Sequence, residues 1–161
     1  MEDNRSTYVA RKRHRLSDAE ARRLDELAQQ DRSWDEEVEW RILSWLPDFV
    51  DPMTARDWAR ADAETPLRLN LACNRALSAE TGAWSESDEQ SRWSAAAPPV
   101  WIIHGSGDPR PIDGPRTLAS VLTQADFHEL PGAGHQPWRE CPDLVAKVLA
   151  NVAAHAANQA L

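Results

Sequence analysis

Val100-Trp101-Ile102-Ile103-His104-Gly105-Ser106-Gly107-Asp108 decides the fold, and Leu130-Pro131-Gly132-Ala133-Gly134-His135-Gln136-Pro137 completes its message. The first begins as a continuous apolar run, the pattern of a strand buried on both faces of a parallel sheet. It breaks on three small residues, and a carboxylate follows. Such a carboxylate sits at the C-terminal edge of the sheet, where open α/β folds gather their reacting groups. The second stretch follows another short strand pattern, Asp126 to Leu130, and delivers His135 27 residues after Asp108. Parallel neighbouring strands bring both turns to one edge. There an aspartate can accept a hydrogen bond from one ring nitrogen of the histidine, fixing its tautomer and leaving the other nitrogen as a general base. Gly132 and Gly134 allow a tight turn and keep bulk away from the imidazole. Pro137 and Pro142 stiffen the exit.

Working outward, a helix is expected from Pro115 to Gln124, with proline in its first turn. A last helix is expected to start near Pro142, with Leu144, Val145, Val148, Leu149 and Val152 on one broad apolar stripe. Strand–helix–strand–helix implies a parallel pair with a right-handed crossover.

The pattern changes near Ala95-Ala96-Ala97-Pro98-Pro99; upstream of it the chain reads as helical. Ser17 and Glu20 have capping-box spacing, and Ser33 and Glu36 repeat it. Leu24, Leu27, Ala21 and Ala28 then share one helical face; Val38, Ile42 and Trp45 mark another. Pro47 and the Asp51-Pro52 pair close the second helix. Further helices are expected within 53–64 and 66–80, with Gly82 stopping the last. All of the eight tryptophans except Trp138 lie between Trp34 and Trp101, as packing residues at helix contacts or as pocket lining.

The 161 residues suit one domain-sized unit with enough apolar content for a core. A net charge of -8 argues against a nucleic-acid binder, which needs a basic face. The local exception, Arg11-Lys12-Arg13-His14-Arg15, reads as a solvated approach to a helix. Asp35, Glu36, Glu37 and Glu39 read as a solvated acidic face. Cys73 and Cys141 form no metal or redox motif, so the default is a reducing compartment. His104 and Asp108 are four apart but straddle a strand end, so no metal is expected there; His104 belongs to strand-end packing. His14, His128 and His155 show no partner pattern. The N-terminus has no apolar leader and no run reaches membrane-spanning length. The expectation is a cytoplasmic protein with no membrane and no nucleic-acid partner. The scarcity of lysine beside abundant arginine and alanine points to a GC-rich, bacterial coding bias.

Taken singly, an aspartate at a strand end and a histidine in a glycine turn are ordinary turn residues. Together, Gly105-Ser106-Gly107-Asp108 and Gly132-Ala133-Gly134-His135-Gln136-Pro137, with Glu140 and Pro142, resemble the acid turn and the histidine loop of the α/β-hydrolase family. The region 16–94 is similar to the helical cap of proline iminopeptidase-like members, through Arg15-Leu16-Ser17, Ser44-Trp45-Leu46-Pro47-Asp48-Phe49 and Asn74-Arg75-Ala76-Leu77-Ser78-Ala79-Glu80-Thr81. The resemblance implies a partial α/β-hydrolase fold: a helical cap segment over 1–95, then two parallel strand–helix units of the core over 96–161. It implies Asp108 and His135 as catalytic acid and base, with no metal or organic cofactor.

In that family the chain order is nucleophile, acid, histidine, and the nucleophile sits in a Gly-x-Ser-x-Gly elbow. No serine or cysteine here has glycine both two residues before it and two residues after it; Ser106 has His104 and Asp108 at those positions instead. The chain reads as beginning where the cap begins, so it is expected to be a serine-type hydrolase truncated before the cap and inactive alone. Relatives would hydrolyse an ester, an amide or an N-terminal prolyl bond of a small molecule or short peptide. The alternative is a non-catalytic remnant whose helices form an interaction or dimerisation module, or which complements a separate N-terminal half.

Overall fold

Two capping boxes set the helical register of the first half. In the computed structural model, which describes residues 4–65, 70–82, 91 and 98–159, Ser17 caps α2 (Asp18–Ala28) and Ser33 caps α3 (Trp34–Trp45). Each serine Oγ accepts a backbone N–H three residues on at 3.3 Å, and each glutamate accepts the serine N–H at 2.9 Å. Donors that a helix start would leave open are thereby satisfied. Before them lies α1 (Asn4–His14), a helix that the sequence pattern did not announce.

A 3-10 turn over Leu46–Asp48, carrying Pro47, ends α3. Asp51-Pro52 does something different from closing that helix: it starts α4 (Pro52–Ala63). The Asp51 carboxylate accepts the Met53 N–H at 3.0 Å, and proline takes the first position, where no N–H is needed. Helix α5 (Leu71–Thr81) follows, ending at Gly82. Trp84, Trp93 and the composition break at 95–97 lie outside the described residues.

The helical core is Ile42, Phe49, Ala55, Ala59 and Ala63, with Val38, Trp45, Leu46 and Trp58 packed on it. Alanines four apart give α4 a flat face that lets α3 approach closely. The Phe49 and Trp58 rings meet with centroids 5.4 Å apart. Of the face expected on α2, Ala21 and Leu27 are buried and Leu24 is half-buried, whereas Ala28 is exposed.

The acidic run on α3 is not a simple solvated face. Glu37 bridges Arg32 at 2.8 Å and the buried Arg41 at 2.9 Å, and Glu39 pairs with Arg23 at 2.8 Å. The basic cluster is likewise only partly solvated. Lys12 lies 3.4 Å from the Asp48 carboxylate, and Arg15 donates to the carbonyls of Pro47 at 2.8 Å and Gly107 at 2.6 Å.

In the second half, β1 (Val100–Gly105) and β2 (Ala125–Leu130) pair in parallel, in register from Val100↔Ala125 to Gly105↔Leu130. Helix α6 (Asp113–Val121) connects them; α7 (Pro137–Glu140) and α8 (Pro142–Gln159) follow. The expected strand–helix order holds among the described residues. The burial differs from expectation: Val100 to Ile103 are half-buried. Among the described residues the sheet has two strands, too few to cover both faces and both edges of β1. The stripe on α8 is likewise only partly covered, with Val148 buried and Leu149 58% exposed.

Candidate active site

Four features place Asp108 and His135 together. Parallel pairing ends both strands at the same edge. The turn after β1 is then zipped to the turn after β2: Ser106 N–H donates to the Leu130 carbonyl at 2.9 Å and Gly107 N–H to the Ala133 carbonyl at 2.8 Å. Gly132, at φ 76°, donates its N–H to Ser106 Oγ at 3.1 Å. Gly105 lets the two turns touch backbone to backbone, since a Cβ there would lie inside the carbonyls of Ala133 and Gly134.

Asp108 and His135 meet at 2.8 Å, Oδ2 to Nδ1. The carboxylate side chain is 4% exposed and the imidazole 41%, so the carboxylate is sequestered while the imidazole is accessible. The other carboxylate oxygen, Oδ1, accepts the Arg110 N–H at 2.8 Å and lies 3.3 Å from the Arg110 guanidinium. Burial alone would push the Asp108 carboxyl up. The hydrogen bonds from His135 and the Arg110 N–H, with the charges of both residues, outweigh it and hold the carboxyl below its ordinary value. An ionised Asp108 can accept the Nδ1–H of His135, and in the neutral imidazole that leaves Nε2 with its lone pair. An arrangement of this kind can take up a proton.

His135 stands between two cavities. One, of about 460 Å³, is mostly apolar and lined by Ile103, Pro111, Pro137, Trp138 and Val145 as well as the pair itself. The other, of about 510 Å³, carries Tyr8, Lys12, Asp48, Asp62 and Arg110 on its walls beside Trp45. A larger groove of about 640 Å³ lies among α2, α3 and α4, away from Asp108 and His135. On its walls Arg23 pairs with Glu39, Arg56 with Glu20 and Arg60 with Glu64.

Other sequence-singled residues take structural places. Ser106 is committed to Gly132. His104 is buried at the strand end, 7% exposed. His128 lies 3.0 Å from Asp126 on the same strand, a pair that two-residue periodicity could have shown. His155 packs edge-on to Trp101, centroids 5.1 Å apart. Cys73 and Cys141 are free thiols. Among the described residues no cluster of three or more His, Cys, Asp or Glu side chains is arranged to hold a metal, and no helix is long and apolar enough to cross a membrane.

The residues that sequence reasoning missed are those bracing the pair. Glu140 accepts the Gly134 N–H with one oxygen and the Val50 N–H with the other, both at 2.6 Å. The Asp48 carbonyl accepts the His135 N–H at 2.7 Å. Arg15 ties Pro47 to Gly107. The turn at 47–50 is therefore bonded to both the acid turn and the histidine turn. Glu140 stands with the histidine-loop motif, and Arg15, Pro47 and Asp48 within the cap-like stretches, but their contacts join segments too distant in the chain to be read from the sequence.

No protein-family model matches the chain. No curated protein matches it either. Among solved structures it is similar to 2-hydroxy-6-oxo-6-phenylhexa-2,4-dienoate hydrolase from Rhodococcus sp. strain RHA1, at 17% sequence identity and a TM-score of 0.52. The likeness covers 80% of this chain and 48% of that one, so the chain spans about half the length of the structure it matches. At this identity the likeness is one of fold: the α/β-hydrolase fold, in part.

Proposed function

We propose that this chain carries the acid and the histidine of a serine-hydrolase triad, Asp108 and His135, over a core segment 96–161 preceded by a cap-like segment 1–95. The observation that carries the reading is the 2.8 Å contact between a buried carboxylate and an accessible imidazole at one sheet edge. The reaction is hydrolysis of an ester, an amide or an N-terminal prolyl peptide bond in a small molecule or short peptide, in the manner of proline iminopeptidases. A serine outside these 161 residues attacks the acyl carbon. Nε2 of His135 takes the serine's proton and returns it to the leaving group, and Asp108 holds the imidazole as its charge rises. The hydrolase named for the similar fold supports hydrolysis as the class of reaction. No cofactor is needed, and the reading assigns a cytoplasmic setting without nucleic-acid or membrane partners.

Since the members of a triad act as a unit, the chain by itself is expected to be inactive. Incubated with a chromogenic ester, a prolyl amide and a fluorophosphonate probe, it should show no turnover and no labelling. Turnover abolished by His135→Ala would overturn the assignment of the nucleophile to residues outside the chain.

The second reading is a non-catalytic interaction module, favoured by the exposure of Trp138 at 57%, Leu149 at 58% and Leu118 at 42%. These residues seek a partner, either a second copy or a separate N-terminal half. A compact monomer in analytical ultracentrifugation would count against it.

A further inference from the structure

Asp48 is a buried carboxylate that the acid–base reading does not use. It is 4% exposed, in the 3-10 turn behind the fully buried Pro47. Its main chain reaches the histidine: the carbonyl accepts the His135 N–H at 2.7 Å. That approach is open because residue 134 is glycine; a Cβ there would collide with the same carbonyl. Its side chain reaches the acid through one cation. Arg110 Nη1 stands 3.3 Å from Asp48 Oδ1 and 3.3 Å from Asp108 Oδ1. Lys12, 3.4 Å from Asp48, closes the other side, and the Tyr8 ring lies 4.9 Å from Arg110 and 5.2 Å from Lys12.

The physics of a shared cation follows. Arg110 competes with His135 for the charge of Asp108. A second carboxylate on the same guanidinium divides its field and holds it away from full engagement with Asp108. We propose that Asp48 is a positioning residue for the Asp108–His135 pair: its carbonyl fixes the histidine turn, and its carboxylate draws Arg110 off the acid so that Asp108 remains a strong partner for the imidazole. The proposal rests on the reading of that pair as acid and base. The other charged groups around the imidazole are Lys12 and Asp62, which line the same 510 Å³ cavity, and Arg139, which pairs with Asp62 at 2.6 Å.

The test is the NMR titration of the His135 imidazole in the 161-residue chain. Asp48→Asn keeps the carbonyl and the shape of the side chain and removes the charge; it should lower the His135 midpoint by about half a pH unit. Arg110→Gln removes the competing cation and should raise it by about as much. A purely structural role for either residue moves both variants the same way, because the Asp108–His135 contact loosens in each. Shifts of opposite sign support the proposal. Shifts of one sign, no shift, or loss of a dispersed spectrum in Asp48→Asn alone would overturn it. The titration needs no nucleophile, so it can fail while the hydrolase reading stands, and the reverse also holds.

Discussion

Gly105→Ala should cost about 3 kcal/mol, toward the upper end for an added methyl, because backbone rather than a flexible side chain would have to yield. The new Cβ would sit within the carbonyls of Ala133 and Gly134. Relief requires parting the turn after β1 from the turn after β2, which also draws His135 away from Asp108. Thermal unfolding should show a fall of about 6–12 °C, taking about 2–4 °C per kcal/mol for a chain of this size. The same variant should lose the His135–Asp108 contact in NMR spectra. A variant with wild-type melting would mean that the two turns are not in backbone contact.

Glu140→Ala should be nearly as damaging, at about 2–4 kcal/mol, because it strips a charged acceptor from two backbone donors at once. The Val50 and Gly134 N–H groups each lose a 2.6 Å bond, and the turn at 47–50 comes loose from the histidine turn. Glu140→Gln keeps one oxygen acceptor and should lose about half as much. Urea titration of the three proteins checks the order wild type, Gln, Ala. Equal stability of the alanine variant would remove Glu140 from the support of the site.

Acid should act on the same site with a definite sign. The Asp108 carboxyl is held below its ordinary value in the folded chain. Its contribution is therefore present above the ordinary carboxylate range and lost as pH falls through the lowered folded value.

Local chemistry was legible in the sequence. Ser17 with Glu20 and Ser33 with Glu36 start helices where their spacing says they should. The apolar run from Val100 and the run to Leu130 are strands in parallel register, and the glycine turns bring Asp108 to His135. These features are set by neighbours within a few residues, or by one strand pairing. The braces were not legible because each joins distant segments: Arg15 to Gly107 spans 92 residues, Val50 to Glu140 spans 90, and Asp48 to Arg110 spans 62. Charge runs misled for the same reason. Composition makes Arg11–Arg15 look like a solvated patch, yet Lys12 and Arg15 are spent on the Pro47–Asp48 turn. Strand burial was overestimated at Val100–Ile103, since an apolar run records the neighbours a strand is suited to, and here β1 has β2 as its one partner among the described residues.

The central claim is that Asp108 holds the Nδ1–H of a neutral His135 and leaves Nε2 free to accept a proton. Long-range ¹H–¹⁵N correlation on the imidazole above its titration midpoint tests it directly. The expected spectrum shows Nδ1 protonated and Nε2 bare, and Asp108→Asn removes that preference. A neutral imidazole protonated at Nε2, with Nδ1 bare, would contradict the account.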